Sequence, residues 1–182
     1  MHPAVFLDRD GVIVENQPDY IRSWSDVVIF PQAIEALVNI SSSAYKIVVV
    51  TNQSAVGRGL ISLQQAEEIN ANLIKFIQKA GGRVDGLYMC PHAPSQACTC
   101  RKPLPGLFIQ AAQQLHIDLS ASLMIGDAYS DLQAGQAAGI RELVLLRTGR
   151  GFIQEKTDPP ADLIPFAIYD TLYEALAARI TS

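Results

Sequence analysis

Ala4-Val5-Phe6-Leu7-Asp8-Arg9-Asp10-Gly11 is the stretch on which the reading of this chain turns. Its first four residues are an unbroken apolar run, as expected of a strand buried on both faces. Two carboxylates follow one residue apart, and at the mouth of a sheet they would repel unless a cation or a shared proton held them. A hard cation such as Mg²⁺ suits carboxylate oxygens and would also neutralise an incoming phosphate. Alone, Asp8-Arg9-Asp10-Gly11 reads equally as a solvated turn. The motifs downstream decide between the two.

Working outward, short β-branched runs alternate with helical patterns, which predicts an α/β domain built on a largely parallel sheet. Strands are expected near Val5–Asp8, Ile47–Thr51, Gly86–Met89, Leu123–Gly126 and Leu143–Leu146, with a further short one near Ala161–Ile164. Helices are expected near Gln32–Ser42, Leu63–Ala80, Pro105–Leu115, Ser130–Ala138 and Tyr173–Ile180. Ser62 and Gln65 form a capping-box pattern, and Ile69, Leu73, Phe76 and Ile77 then supply an apolar stripe for the core. Residues 11–30 form a long connection and 147–160 an irregular surface loop, which leaves no room for a separate large cap domain. One domain over residues 1–182 is the expectation.

The composition is that of an ordinary globular protein, 49% hydrophobic and 18% charged over 182 residues. A net charge of −4 offers no global basic field for nucleic acid or a membrane surface. Any anion site must therefore be local. No apolar run approaches the ~20 residues of a membrane helix. The N-terminus does not read as a secretory signal, so a cytoplasmic protein is expected; the small core without a cap leads to the expectation of a monomer.

Four strand endings carry polar groups: Asp8/Asp10, Thr51-Asn52, Arg101-Lys102 beyond Cys90, and Gly126-Asp127. In an open parallel sheet all of them converge on the crevice at the carboxyl ends of the strands. Their chemistry fits phosphoryl transfer. Asp8 would be the nucleophile, and Asp10 would protonate the leaving oxygen and then activate water, a role typically worth ~10²–10⁴ in rate. Asp127 would complete a Mg²⁺ site with Asp8 and the Asp10 main-chain carbonyl. The Thr51 hydroxyl, the Asn52 backbone and the Lys102 ammonium would hold phosphoryl oxygens. Asp131 is placed to orient Lys102 or a metal-bound water.

A second cluster has a different character. Cys90-Pro91-His92 is followed, five residues on, by Cys98-Thr99-Cys100. Three thiolates and an imidazole suit tetrahedral Zn²⁺ with every position filled by protein, so the site is expected to be structural. Zinc there would order a Pro-rich loop and fix where Arg101 and Lys102 point.

Taken together, Asp8-Arg9-Asp10-Gly11, Thr51-Asn52-Gln53-Ser54, Cys90-Pro91-His92…Cys98-Thr99-Cys100-Arg101-Lys102-Pro103 and Gly126-Asp127 resemble the haloacid dehalogenase superfamily of phosphatases. The resemblance is narrowest to its D-glycero-D-manno-heptose 1,7-bisphosphate 7-phosphatase branch, with the histidinol-phosphate phosphatase branch beside it. It implies a Rossmann-like three-layer sandwich without a large cap, a zinc-bound loop, and catalytic Mg²⁺. It also implies a small phosphorylated sugar as substrate and a role in heptose precursors of lipopolysaccharide. Asp8 matches the family nucleophile, Asp10 its acid/base, and Thr51 and Lys102 its phosphoryl stabilisers. Arg101, Ser54 and the Asn16–Tyr20 stretch, with Asn16 and Tyr20 at its ends, match substrate-contacting positions. Ala128 departs from the Lys or Arg that often follows Gly-Asp in the family. Histidinol-phosphate hydrolysis, or a non-catalytic domain that binds phosphorylated ligands, are the alternative readings.

Overall fold

The computed structural model describes residues 1–180. Six parallel strands form one sheet in the order β3-β2-β1-β4-β5-β6. They are β1 (Ala4–Leu7), β2 (Lys46–Asn52), β3 (Gly86–Cys90), β4 (Leu123–Gly126), β5 (Glu142–Leu146) and β6 (Ala167–Tyr169). The helices are α1 (Pro31–Asn39), α2 (Ser54–Gly57), α3 (Leu63–Lys79), α4 (Gly106–Leu115), α5 (Tyr129–Ala137), α6 (Gly151–Gln154) and α7 (Leu172–Arg179). Strand order reverses between β2 and β4 on either side of β1. The crevice at this switch point opens at the carboxyl end of β1, which is where Asp8 stands.

The strands' period of two sends successive residues to opposite layers. Val5, Leu7, Val49, Ile125 and Val144 pack with α1, α3 and α7. Ala4, Phe6, Val48, Val50 and Met124 pack with α4 and α5, and the Phe6 and Phe108 rings lie 5.0 Å apart. The result is the expected three-layer α/β sandwich. Ser62 caps α3 as the sequence indicates: its hydroxyl accepts from the Gln65 amide and the Gln65 side chain accepts from the Ser62 amide. No helix among the described residues is long and apolar enough to cross a membrane.

Three expectations need correction. The sixth strand is Ala167–Tyr169, not Ala161–Ile164. The Gln136 side chain there takes up the backbone, donating to the Asp162 carbonyl and accepting from the Ile164 amide, and Pro165 then removes a ladder donor. Phe76 leaves the core stripe: it is 45% exposed and packs beside Trp24 at the 3-10 turn Trp24–Asp26. Residues 147–160 are not only loop, because α6 forms within them and Thr148 and Arg150 reach back to the strand ends.

Candidate active site

The carboxyl ends of β1, β2 and β4 and the segment after β3 surround a cleft of about 440 Å³ whose lining includes Asp8, Asp10, Lys102, Asp131 and Arg150. At its floor the Lys102 ammonium is buried, 2.8 Å from Asp8 Oδ1 and 2.8 Å from Asp131 Oδ1, and it donates to the Val50 carbonyl at 2.8 Å. Three donors meet three acceptors, which is the condition for keeping an ammonium charged out of water. Burial pulls this lysine's pKa down, but the Asp131 and Asp8 carboxylates outweigh it and hold it above its ordinary value.

Lys102 lies outside any helix or strand and is aimed by two devices. The Asn52 side chain brackets its main chain, donating to the Lys102 carbonyl and accepting from the Lys102 amide, each at 3.1 Å. Just before it, Cys90, His92, Cys98 and Cys100 bring their ligand atoms within 4.8 Å of one another. The separations include 3.2 Å from Cys100 to Cys90, 3.9 Å from Cys90 to Cys98, and 3.4 and 3.5 Å from His92 Nδ1 to Cys100 and Cys90. Tetrahedral ligands ~2.3 Å from one zinc lie about 3.7 Å apart, so the cluster fits that ion, and all three cysteines are free. Burial pushes the Cys90 thiol up, and burial with the neighbouring Cys90 and Cys98 pushes Cys100 up to about 12. Burial acts on Cys98 in the same direction, but the Arg101 and Cys100 amides and its sulfur neighbours bring it below its usual value. Thiolates crowded in this way need a cation to coexist.

Asp8 and Asp127 are both buried. Burial pushes the Asp8 carboxyl up to about 7 from an ordinary 3.8; Lys102 opposes this, while Asp131, Asp127 and Asp10 add to it. Asp8 Oδ1 accepts from the Arg9 amide at 2.7 Å and from Lys102. Asp127 Oδ2 accepts from Asn16 Nδ2 at 2.7 Å and the Arg150 amide at 2.8 Å. Gly11, at φ +86°, passes so close to Asp127 Oδ2 that a Cβ would collide with it. Two buried carboxylates with ligand atoms within 4.8 Å suit a hard divalent cation. Asp131 also falls in that group, but its Oδ1 holds Lys102 and its Oδ2 accepts from the Ala128 amide at 3.1 Å.

The Asp10 carboxylate is engaged by neighbours other than the Asp8–Asp127 pair. Arg9 Nη2 donates to both its oxygens, at 3.0 and 3.1 Å, and Gln53 Nε2 donates to Oδ2 at 2.7 Å. Asn70 of α3 in turn accepts from Arg9 Nη1 at 2.7 Å. Thr51 is fully buried, and its hydroxyl accepts from Gln53 and faces Asp10 at 3.5 Å. Asn16, Tyr20, Asn52, Ser54 and Arg101 line the cleft. Arg101 Nη1 donates to the His92 carbonyl at 3.2 Å, and Tyr20 sits at φ +65°.

Sequence reasoning missed Arg9, Gln53, Asn70 and Arg150 as members of the site. Gln53 and Arg9 stand inside the strand-end motifs, so the signal was present there. Asn70, inside a helix, and Arg150, in a Gly-rich loop, carried none.

Against known proteins, residues 99–175 match the family model described as HAD-hydrolase-like. A protein from Yersinia pestis named D-glycero-beta-D-manno-heptose-1,7-bisphosphate 7-phosphatase is 36% identical over 97% of this chain and 96% of its own. One of the same name from Photorhabdus laumondii is 37% identical over 92% of each chain. The crystal structure of D,D-heptose 1,7-bisphosphate phosphatase from B. bronchiseptica, complexed with magnesium and phosphate, matches with a TM-score of 0.88. It is 29% identical over 97% of both chains.

Without a divalent cation the native state keeps a proton on Asp8 from about pH 4 to about pH 7 that the unfolded chain releases. Stability from this group therefore falls as pH rises through that window. A metal needs the carboxylate ionised, so its stabilising effect must grow with pH. Added MgCl₂ is expected to raise the melting temperature more at about pH 7.5 than at about pH 5. Equal gains at both would contradict the burial of an ionisable Asp8 at the metal site.

Proposed function

This chain belongs to the heptose-1,7-bisphosphate 7-phosphatase family of HAD-like hydrolases, and from that premise we propose how its own residues carry out the reaction. It is a phosphatase that removes the 7-phosphate of D-glycero-β-D-manno-heptose 1,7-bisphosphate during synthesis of a surface-glycan precursor. The observation that carries this reading is the buried Asp8–Lys102–Asp131 array with Asp10 and Asp127 beside it, on a chain covered almost end to end by relatives of that name.

Asp8 attacks the phosphorus, and the bond to the sugar oxygen breaks as an aspartyl-phosphate forms. Asp10 gives its proton to the departing oxygen. Water then attacks the same phosphorus, Asp10 takes up the proton, and Asp8 leaves as a carboxylate. Arg9 and Gln53 hold the resting Asp10 carboxylate, and Asp10 exchanges these donors for the leaving oxygen and then the water as each proton moves. Lys102 contributes chiefly through its charge, since its donors are already engaged with Asp8, Asp131 and Val50. Mg²⁺, held by Asp8, Asp127 and the Asp10 carbonyl, supplies charge neutralisation for the phosphoryl oxygens. Arg101, Ser54, Asn16 and Tyr20 contact the sugar and its second phosphate, with the forked guanidinium of Arg101 suited to the latter.

Cys90, His92, Cys98 and Cys100 hold a structural zinc. Its stabilisation, roughly 10–16 kcal/mol in small peptides, is ample to order the loop that delivers Lys102. Metal analysis is expected to find one zinc per chain. His92→Ala should lose it, with a lower melting temperature and a lower kcat/KM. A zinc-free His92→Ala protein with both unchanged would remove the anchoring role.

The function itself is tested by phosphate release with Mg²⁺ from both anomers of heptose 1,7-bisphosphate and from histidinol phosphate. The β-anomer is expected to lead histidinol phosphate by ~10²-fold or more in kcat/KM, and Asp8→Asn to lose at least about 10³-fold on every substrate. A preference for histidinol phosphate would overturn the substrate; an active Asp8→Asn would overturn the nucleophile.

A further inference from the structure

Each of the two metal-site carboxylates has one oxygen bound by uncharged or catalytic donors and one left for a cation. Asp8 Oδ1 is held by the Arg9 amide and Lys102, and Asp127 Oδ2 by Asn16 and the Arg150 amide. Across the remaining pair lies Arg150: its Nη2 is 2.8 Å from Asp127 Oδ1 and 3.8 Å from Asp8 Oδ2. Its Nε donates to Asp127 Oδ2 at 3.2 Å. The guanidinium thus stands on the oxygens that a divalent cation needs, and both cannot use them at once.

The attachment of Arg150 limits where its side chain can go once displaced. Its main-chain amide donates to Asp127 Oδ2 at 2.8 Å, a bond that survives any movement of the side chain, so the pivot stays fixed beside the metal. The side chain is 54% exposed and lines the cleft. Ala128, next to Asp127 in the chain, brings no charge of its own. Of the other cations lining the cleft, Arg9 is bonded to Asp10 and Asn70, Lys102 to Asp8 and Asp131, and Arg101 to the His92 carbonyl. A guanidinium driven off Asp127 by an incoming dication is free to pair with an anion in the cleft. Its planar fork matches a phosphate edge.

We propose that Arg150 is a metal-displaced substrate ligand, covering the open oxygens of Asp8 and Asp127 in the metal-free protein and turning to bind a phosphate oxyanion once a divalent cation takes them. This rests on the reading of the cleft as a Mg²⁺-dependent phosphatase site. It gives that site an order: cation first, then a phosphorylated ligand drawn in by the freed arginine.

Calorimetric titration tests this without turnover. Mg²⁺ is titrated into the wild type, Arg150→Ala and Arg150→Lys, and inorganic phosphate is then titrated into each at saturating Mg²⁺. Arg150→Ala keeps the main-chain bond to Asp127 and should bind Mg²⁺ several-fold more tightly, because its competitor is gone. It should bind phosphate about 10-fold more weakly or worse, the loss expected for one charge-assisted contact. Arg150→Lys, which keeps the charge without the fork, should fall between the two in both titrations. Unchanged or weaker Mg²⁺ binding in Arg150→Ala would overturn the competition, and unchanged phosphate binding would overturn the ligand role. A wild type that binds no Mg²⁺ would instead defeat the phosphatase reading itself.

Discussion

The Lys102 ammonium, shut away from water between Asp8 and Asp131, is the interaction around which this end of the molecule is organised. A buried charge is tolerated only when paired and fully hydrogen-bonded, and removing one partner of such a group typically costs ~3–5 kcal/mol. Each partner here comes from a different part of the fold: Asp8 from the end of β1, Asp131 from the first turn of α5, the Val50 carbonyl from β2. The lysine itself arrives on an irregular segment. The Asn52 bracket and the Cys₃His cluster therefore matter for chemistry as well as stability, because an unanchored Lys102 would leave Asp8 and Asp131 facing each other without a cation. Gly126 belongs to the same requirement, since a Cβ there would strike the Asp131 side chain.

The charges of the cleft divide into pairs of unequal quality. Asp10 has Arg9 to itself, with both carboxylate oxygens engaged. Asp131 holds Lys102 at a distance equal to that of Asp8, so Asp8 shares its cation; burial, with Asp131, Asp127 and Asp10 adding to it, drives its carboxyl up to about 7 against the pull of Lys102. Asp127 is matched by an arginine that is half in solvent. The two carboxylates least well neutralised by buried partners are those assigned to the metal. That pattern suits a site in which part of the positive charge comes and goes with Mg²⁺ and substrate, while the resting acid/base carboxyl has its own protein partner.

Much of this was legible in the sequence, for reasons visible in particular residues. The strand ends announce themselves because a buried apolar run that stops at Asp8-Arg9-Asp10, at Thr51-Asn52 or at Gly126-Asp127 is a local pattern. The ligand set of Cys90, His92, Cys98 and Cys100 is likewise written within eleven residues. The features that escaped depend on partners far apart in the chain. Arg150 meets Asp127 across 23 positions, and Asn70 meets Arg9 across 61. The sixth strand was misplaced because Gln136, on a remote helix, satisfies the backbone of residues 162–164 and frees the chain to pair only at Ala167–Tyr169. Thr51 stands at the predicted strand end but turns its hydroxyl into the Asp10–Gln53 network, a choice of side-chain partner that no periodicity encodes.

The central claim is that Asp8 carries the phosphoryl group. Mixing the protein with Mg²⁺ and heptose 1,7-bisphosphate, quenching in acid within a turnover, reducing the acyl phosphate with borohydride and sequencing the digest by mass spectrometry tests it directly. The account predicts that residue 8, and no other carboxylate of the cleft, is converted to the alcohol. Reduction at Asp10, Asp127 or Asp131 instead, or no labelled residue under conditions that release phosphate, would contradict it.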